Sequence, residues 1–253
     1  MTLLKQKRGY RRGYPVAILI GLEEDRAVAW RVFSSIVKPE KTILLDGTRN
    51  DPKALYNFHE SVVNALRPTL KEGVRSIILA SPMRTNYAQT FIDHIRGHHA
   101  WLAQGPNKAV FSETTGSAGT LSEVAILART PVFRQLISET TSEETENLAN
   151  MLEKRLNASD QNTLVLYSLE EIEDLILSSQ KPSRPKPEYL MLTDKYLSSI
   201  REKNRIHRLI QIATNRNVKT RIVDAESPAG LRLTQLGGIV CFAQPMNRQP
   251  RNH

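Results

Sequence analysis

The stretch Glu226-Ser-Pro-Ala-Gly-Leu-Arg-Leu-Thr-Gln-Leu-Gly-Gly-Ile239 lies near the end of a 253-residue chain and predicts the last elements of its fold. We expect a helix over residues 228–236 and a strand over residues 238–242, which starts at the second of the two paired glycines. Before this stretch strands and helices also alternate, which is typical of an α/β protein. The elements predicted there are a strand over residues 218–223, a helix over residues 197–213 and a strand over residues 189–192.

The same alternation is predicted for the first 180 residues. Asp51 has the character of a helix N-cap and Pro52 that of a first helical residue. Two capping boxes, Thr141 with Glu144 and Ser168 with Glu171, predict the starts of two acidic helices. The predicted strands cover residues 16–21, 27–35, 42–45, 76–80, 109–112 and 164–167, and further helices run through Tyr87 to Ile95 and Leu121 to Ala128.

The charge of the chain is unevenly distributed. Its 35 Lys and Arg residues outnumber 26 Asp and Glu residues, which gives a formal net charge of +9 and indicates a polyanionic partner. Residues 1–12 carry five basic and no acidic residues, residues 13–180 carry 16 basic and 21 acidic, and residues 181–253 carry 14 basic and 5 acidic. We therefore expect the two basic ends to meet RNA and the acidic helices over residues 139–178 to meet a protein.

Two groups of basic residues are candidates for RNA binding. In the N-terminal arm they alternate with Gly9, Tyr10 and Tyr14, a mixture that can pair with phosphates and stack on bases. On the helix predicted from Leu197, spacings of three and four residues place several basic side chains on one face. A solvated surface is the alternative in both cases. The candidates are Lys5, Lys7, Arg8, Arg11 and Arg12 in the arm, Arg49 in the loop over residues 46–51, Lys181, Arg184 and Lys186 in the Pro-rich segment over residues 181–187, and Arg201, Lys203, Arg205 and Arg208 on the helix.

No enzyme motif stands out in the sequence, and we expect no cofactor. The turn over residues 114–120 lacks the endings of a P-loop and of a dinucleotide-binding loop. His94 and His98 have the spacing of metal ligands on a helix, but no acidic ligand accompanies them, so no metal site is expected. Ser81, Asp93 and His94 are a triad by residue type alone, because no nucleophile-elbow motif surrounds Ser81.

The sequence also bears on the cellular compartment. The single cysteine, Cys241, excludes an intramolecular disulfide, ends an apolar strand and is expected in the core. The longest apolar run, residues 16–20, is much shorter than the ~20 residues that span a bilayer. We therefore expect a soluble cytoplasmic protein without membrane contact.

Several motifs fall in an order that is shared with a known family. The closing stretch has an acidic residue and Gly230 ahead of a helix and a Gly-Ile strand, and Leu190-Met-Leu-Thr-Asp194 opens the preceding sheet. Tyr167 starts a helix, and earlier motifs include Ser81-Pro82 and Thr115-Gly116, each after a strand. Together they resemble the archaeal and eukaryotic class-1 peptide-chain release factors and their ribosome-rescue paralogue Pelota, over roughly residues 14–245.

This resemblance implies an α/β fold with two α/β domains. After a basic arm over residues 1–12, we expect a release-factor central-domain-like mixed sheet over residues 13–157. A smaller, ribosomal-protein-like α/β/α C-terminal domain is expected over residues 158–253. Composition alone places the boundary at the Pro-rich segment, whereas the resemblance places it near Asn157 and makes that segment an internal loop.

The departures from the family limit the expected function. The family's N-terminal decoding domain has no counterpart here, and the Gly-Gly-Gln motif that acts in peptide release is absent, so neither codon reading nor peptide release is expected. The resemblance implies a non-catalytic, ribosome-associated factor in rescue, recycling or hibernation that binds ribosomal RNA. It also implies an elongation factor 1-alpha-type GTPase and the ribosome-splitting ATPase as partners. A free-standing module for structured RNA is the alternative, and a nuclease or esterase is a further one.

Overall fold

A computed structural model describes residues 13–158, 164–178 and 185–243. The basic arm with Lys5, Lys7, Arg8, Arg11 and Arg12, and the candidates Lys181 and Arg184, lie outside the described residues. The chain divides into two compact units, each with its own mixed sheet, which confirms the predicted α/β class. Unit 1 comprises Met1–Ala65, Ser76–His94 and Phe111–Ile137, and unit 2 comprises Leu66–Arg75, Ile95–Val110 and Ser138–His253.

The first sheet has five strands: β1 (Pro15–Leu22), β2 (Arg26–Phe33), β3 (Val37–Leu44), β4 (Ser76–Ser81) and β5 (Val110–Thr115). Their spatial order is β3-β2-β1-β4-β5. Strands β1 and β4 are parallel neighbours and fully or largely buried, which explains why they appear as short apolar runs in the sequence. The edge strand β3 begins at Val37 and not at residue 42 as predicted. Its first half was missed because the mostly exposed Lys38-Pro-Glu-Lys41 portion has no alternating apolar residues.

Five helices occur within residues 52–156: α1 (Pro52–Glu72), α2 (Tyr87–His98), α3 (Ala100–Ala103), α4 (Leu121–Leu127) and α5 (Pro131–Leu156). Helix α1 begins at Pro52, and Lys53 N donates to Asp51 Oδ1 at 2.9 Å, so the predicted N-cap is confirmed. Thr120 and Glu123 form a capping box at the start of α4 that was not predicted. The predicted turn over residues 114–120 starts too early, because β5 continues to Thr115.

The capping box predicted at Thr141 and Glu144 is wrong. Helix α5 runs without interruption through both residues, so no helix starts there. Thr141 Oγ1 instead donates to Ser138 O at 3.1 Å, and the Glu144 carboxylate is buried against Arg221. A Thr-x-x-Glu spacing can mark a helix start, or it can lie inside a helix where the glutamate has a buried partner. The sequence alone does not distinguish these two arrangements.

The elements of the second sheet and its helices are β6 (Val165–Leu166), α6 (Leu169–Ser178), β7 (Pro187–Thr193), α7 (Asp194–Ser199), α8 (Lys203–Asn215), β8 (Lys219–Val223), α9 (Pro228–Gln235) and β9 (Ile239–Ala243). The four strands lie in the order β6-β9-β7-β8, with helices on both faces. Alternate β7 residues face opposite sides: Tyr189 packs with α5 and α9, whereas Leu190 packs with α6 and α8. This arrangement is the expected α/β/α architecture.

The single helix predicted over residues 197–213 is wrong, since α7 and α8 are separate. Ile200 has extended backbone with ψ 133° and is partly buried against the core, so the chain leaves the helix there. A hydrophobic residue at position 200 fits the helical periodicity of the sequence. In the folded chain, however, Ile200 packs against the core in an extended conformation, which separates α7 from α8. As a result, Arg201 lies between the two helices.

The closing stretch folds as predicted, and the structure explains why glycine occupies three of its positions. Ser227 Oγ caps α9 by accepting from Gly230 N at 3.1 Å. A Cβ atom on Gly230 would lie 1.9 Å from Asp224 O, so no side chain fits there. Gly237 and Gly238 have φ angles of +97° and +83°, a backbone region that favours glycine.

The domain boundary near Asn157 stays a prediction. The C-terminal half of α5, which precedes that position, contributes Leu148, Met151 and Leu152 to one core of the second sheet. In the described part of the chain, no helix combines the length and the apolar character that a bilayer crossing needs.

Candidate nucleic-acid interface

The structure describes six of the candidate RNA-binding residues, and they fall into different environments. Arg49 and Arg205 bind protein groups, whereas Lys186, Arg201, Lys203 and Arg208 are exposed. The sequence predicts the same role for all six residues, because it shows their charge but not their burial or their ion-pair partners. The structure therefore separates arginines that hold the fold together from basic side chains that face solvent.

Arg49 ties the loop after β3 to the turn between β1 and β2. Its guanidinium donates to Glu24 O at 3.0 Å and also to Glu23 O, and it lies 3.7 Å from the centroid of the Tyr87 ring. Burial lowers the pKa of Arg49 below its usual value. The planar guanidinium thus satisfies two backbone carbonyls and stacks on an aromatic ring at the same time.

Neighbouring side chains add further hydrogen bonds to the contacts of Arg49. Tyr87 Oη donates to the Glu24 carboxylate, and this hydrogen bond raises the pKa of Tyr87. Glu23 Oε1 accepts from Ala118 N at 3.0 Å, and Ala118 O accepts from the Trp30 indole at 2.7 Å. The loop over residues 46–51 is therefore held by a network internal to unit 1.

Arg205 is paired within unit 2. Its guanidinium contacts Glu173 at 2.6 Å and Glu202 at 3.1 Å, and the hydrogen bond to Glu173 is the main cause that raises the pKa of Arg205. Arg201, which was predicted one helical turn before Arg205, lies outside α8. The predicted face shared by Arg201, Arg205 and Arg208 is thus not formed as expected.

Four exposed basic side chains remain around α7 and α8. We call them the α7–α8 basic set: Lys195, Arg201, Lys203 and Arg208. Within the part of the chain that the structure describes, no ion pair involves any member of the set. Lys195 was missed because the predicted helix began two residues after it. All four positive charges of the set therefore face solvent.

Glutamates of the acidic middle of the sequence pair with arginines of its basic end. Glu146 and Glu153 pair with Arg232, the second at 2.9 Å, and Glu144 pairs with Arg221 at 2.7 Å. Within the basic segment itself, Glu188 lies 3.4 Å from Lys219, whose pKa burial lowers. Charges that are separate in the sequence are therefore interleaved in unit 2, and part of the basic excess is paired within the protein.

The candidate catalytic and metal-binding residues are placed as follows. His94 Nε2 lies 3.0 Å from Glu60 Oε1, and Asp93 Oδ1 accepts from Gln89 at 2.9 Å. His98 is exposed whereas His94 is buried, so the two imidazoles with this spacing lie in different environments. Cys241 is buried as predicted, and burial raises the pKa of its thiol to about 12.

Comparison with known proteins shows which proteins have a similar sequence and architecture. The chain, which has a mixed five-stranded sheet followed by a four-stranded α/β/α unit, is similar in sequence and in fold to Pelota-type proteins. The chain matches no protein-family model. It is 26% identical over 186 residues to the Pelota homologue of Pyrococcus furiosus, which covers 73% of this chain and 47% of the relative. The chain thus spans about half the length of the curated relative that it matches.

Solved structures give the same result for the fold. Dom34 of S. cerevisiae, described as a translation termination-like factor involved in RNA quality control pathways and interacting with Hbs1, has a TM-score of 0.50 and 22% identity. That match covers 94% of this chain and 66% of Dom34. An archaeal Pelota bound to the ribosome with ABCE1 has a TM-score of 0.52 and 16% identity, over 95% of this chain and 64% of that one. The predicted resemblance to Pelota is confirmed by the sequence similarity, and the solved structures show that the fold is shared.

Proposed function

We propose that this protein is a non-catalytic, ribosome-associated translation factor that acts in rescue, recycling or hibernation. The observation that carries the proposal is the similarity of nearly the whole chain to Pelota-type proteins, one of them bound to a ribosome. The α7–α8 basic set adds a positively charged surface of the kind that contacts RNA phosphates.

RNA contact is assigned to two regions of the chain. The first is the basic arm, Lys5 to Arg12, and the second is the exposed part of the C-terminal domain, residues 158–253. Lys186 and the α7–α8 basic set supply the second surface, whereas Arg205 acts within the protein. Arg49 likewise has an internal role, so any contribution it makes to RNA binding is secondary to that of the exposed residues.

Two protein partners follow from the relatives. Dom34 is described as interacting with Hbs1, and the archaeal Pelota is described together with ABCE1 on the ribosome. We assign this chain a translational GTPase and the ribosome-splitting ATPase as partners on that basis. Peptide release is not assigned, because the sequence contains no Gly-Gly-Gln motif.

Sedimentation with purified ribosomes over a series of salt concentrations tests the proposal. The protein is expected to pellet with ribosomes at low ionic strength and to dissociate as salt rises, because phosphate contacts release counterions. Replacing the five basic residues of the arm with glutamine should lower the salt at which half of the protein dissociates. Absence of pelleting at low ionic strength would refute the proposal, and tight binding to a small structured RNA without ribosomes would favour the free-standing module.

A further inference from the structure

We propose that Trp101 is the base-stacking element of a second RNA site in unit 2, formed with Arg67 and Lys71 and specific for single-stranded RNA. The two tryptophans of the chain have opposite environments. Trp30 is 3% exposed and its indole donates to Ala118 O, as a core tryptophan does. Trp101 is 43% exposed, so a large aromatic surface faces water without a partner of its own size.

The exposed ring is held in a fixed orientation. The Arg67 guanidinium carbon lies 5.2 Å from the centroid of the Trp101 ring, and the edge of His99 approaches it at 6.3 Å between centroids. The short helix α3 that carries the ring is anchored by buried Leu102, whose carbonyl accepts from Ala109 N at 2.7 Å. A preorganised ring can accept a stacked base with little further loss of conformational entropy.

The exposed residues of segments 66–75 and 95–110 favour RNA over a protein partner for Trp101. Arg67 and Lys71 are exposed and lie one turn apart on α1, and Arg96 and His98 are exposed in the last turn of α2. In the segments 66–75 and 95–110, Trp101 is the only large hydrophobic residue that the structure shows as exposed. Protein hot spots are surrounded by further apolar contacts, whereas an isolated aromatic ring among basic side chains is typical of single-strand recognition.

The contact between Arg67 and Trp101 could not be predicted from the sequence for two reasons. For residues 95–108 the sequence predicts only the end of a helix and a histidine pair, and the end of α1, strand β4 and helix α2 separate Arg67 from Trp101. The cation–π contact between them exists only in the folded chain. The site shares no residue with the α7–α8 basic set or with the arm.

Fluorescence titration of the full chain with a single-stranded RNA oligonucleotide of about eight nucleotides tests the inference. Stacking on Trp101 should quench the red-shifted emission of the exposed indole in a saturable manner, while the buried Trp30 emission is unaffected. The Trp101→Ala variant should bind the oligonucleotide at least about tenfold more weakly, and Trp101→Phe should retain most of the affinity. Tyr167→Ala, which removes another exposed aromatic ring of unit 2, is the matched control and should bind as the wild type does.

Three outcomes would overturn the inference: no quenching at low ionic strength, equal binding by Trp101→Ala and wild type, or equal affinity for double-stranded RNA. The first would leave Trp101 as a contact for a protein partner. The titration contains no ribosomes, so its result is separate from the test of the proposed function. Quenching by the oligonucleotide in a protein that does not pellet with ribosomes would support this site and refute the ribosomal role.

Discussion

Glu144 and Arg221 form an ion pair in the interior of unit 2, with Oε2 2.7 Å from Nη2 and side chains that are 2% and 1% exposed. The second carboxylate oxygen, Oε1, accepts from Arg75 N at 3.1 Å. The pair connects the long helix α5 to strand β8. A buried charge is tolerated when its partner is fixed nearby, and removal of one partner leaves the other charge unpaired in a medium of low polarity.

Breaking this pair should strongly destabilise the protein. Glu144→Gln keeps the size of the side chain and an acceptor for Arg75 N, but it removes the buried negative charge that is paired with Arg221. We expect the free energy of unfolding to fall by about 3–5 kcal/mol, measured by urea denaturation.

Two variants control this prediction. Glu143→Gln removes a neighbouring carboxylate that is 60% exposed and should cost less than about 1 kcal/mol. The double variant Glu144→Gln with Arg221→Met should recover much of the lost stability, because both members of the buried ion pair are then replaced by neutral side chains. If Glu144→Gln cost no more than Glu143→Gln, the pair would not be a structural element of unit 2.

Gly230 should not tolerate a side chain. A Cβ atom there would overlap Asp224 O at 1.9 Å, so Gly230→Ala must displace backbone. We expect a loss of about 1–3 kcal/mol in the free energy of unfolding. Gly97→Ala is the matched control: Gly97 lies in α2 and a Cβ atom there would meet nothing within 4 Å, so that change should stabilise by up to about 1 kcal/mol. Equal effects of the two changes would contradict the steric argument.

His59 should make stability depend on pH. Burial lowers its pKa from 6.5 to about 4, with smaller contributions from neighbouring His94 and Arg49. The unfolded chain therefore binds a proton between pH 6.5 and 4 that the folded chain does not, and stability falls by about 3 kcal/mol as the pH drops through this range.

The variant His59→Phe isolates this effect. It keeps an aromatic ring against Phe91 and has no titratable group at the site. Urea unfolding at several pH values should show wild-type stability falling relative to the variant between pH 6.5 and 4. Parallel pH profiles would show that the imidazole takes up its proton equally well in the folded chain.

Arg49 should be required as an arginine and not merely as a positive charge. Arg49→Lys loses the planar contacts with two carbonyls and the Tyr87 ring, so we expect a loss of about 1–2 kcal/mol in unfolding free energy. Lys53→Ala, an exposed change in α1, should have little effect on stability. Unchanged stability of Arg49→Lys together with weaker ribosome binding would instead assign Arg49 to the RNA surface.

Much of the fold could be predicted because local pattern and tertiary packing agree. Asp51 caps α1, the apolar runs of β1 and β4 form the centre of the first sheet, and the closing stretch gives α9 and β9. Glu144 and Ile200 were misassigned because each satisfies a helical pattern locally while its actual role is set by a distant partner.

The binding surface was less predictable than the fold. The excess of basic residues after residue 180 is visible in the sequence, but Arg205, Arg221 and Arg232 pair with glutamates from α5 and α6. Such pairing joins residues that are 32 to 86 positions apart, which composition cannot reveal. Trp101 was missed for the same reason, since its exposure is a property of the folded chain.

RNA contact through the α7–α8 basic set can be measured as the salt dependence of ribosome binding by a triple charge-reversal variant. Arg201, Lys203 and Arg208 are replaced by glutamate, and the control replaces the exposed lysines Lys41, Lys53 and Lys154 in the same way. We predict that the first variant binds more weakly and that its slope of log affinity against log salt is smaller by about three, while the control keeps the wild-type slope. Equal slopes for the two variants, or no binding by the wild-type protein at low salt, would contradict a ribosomal role for this surface.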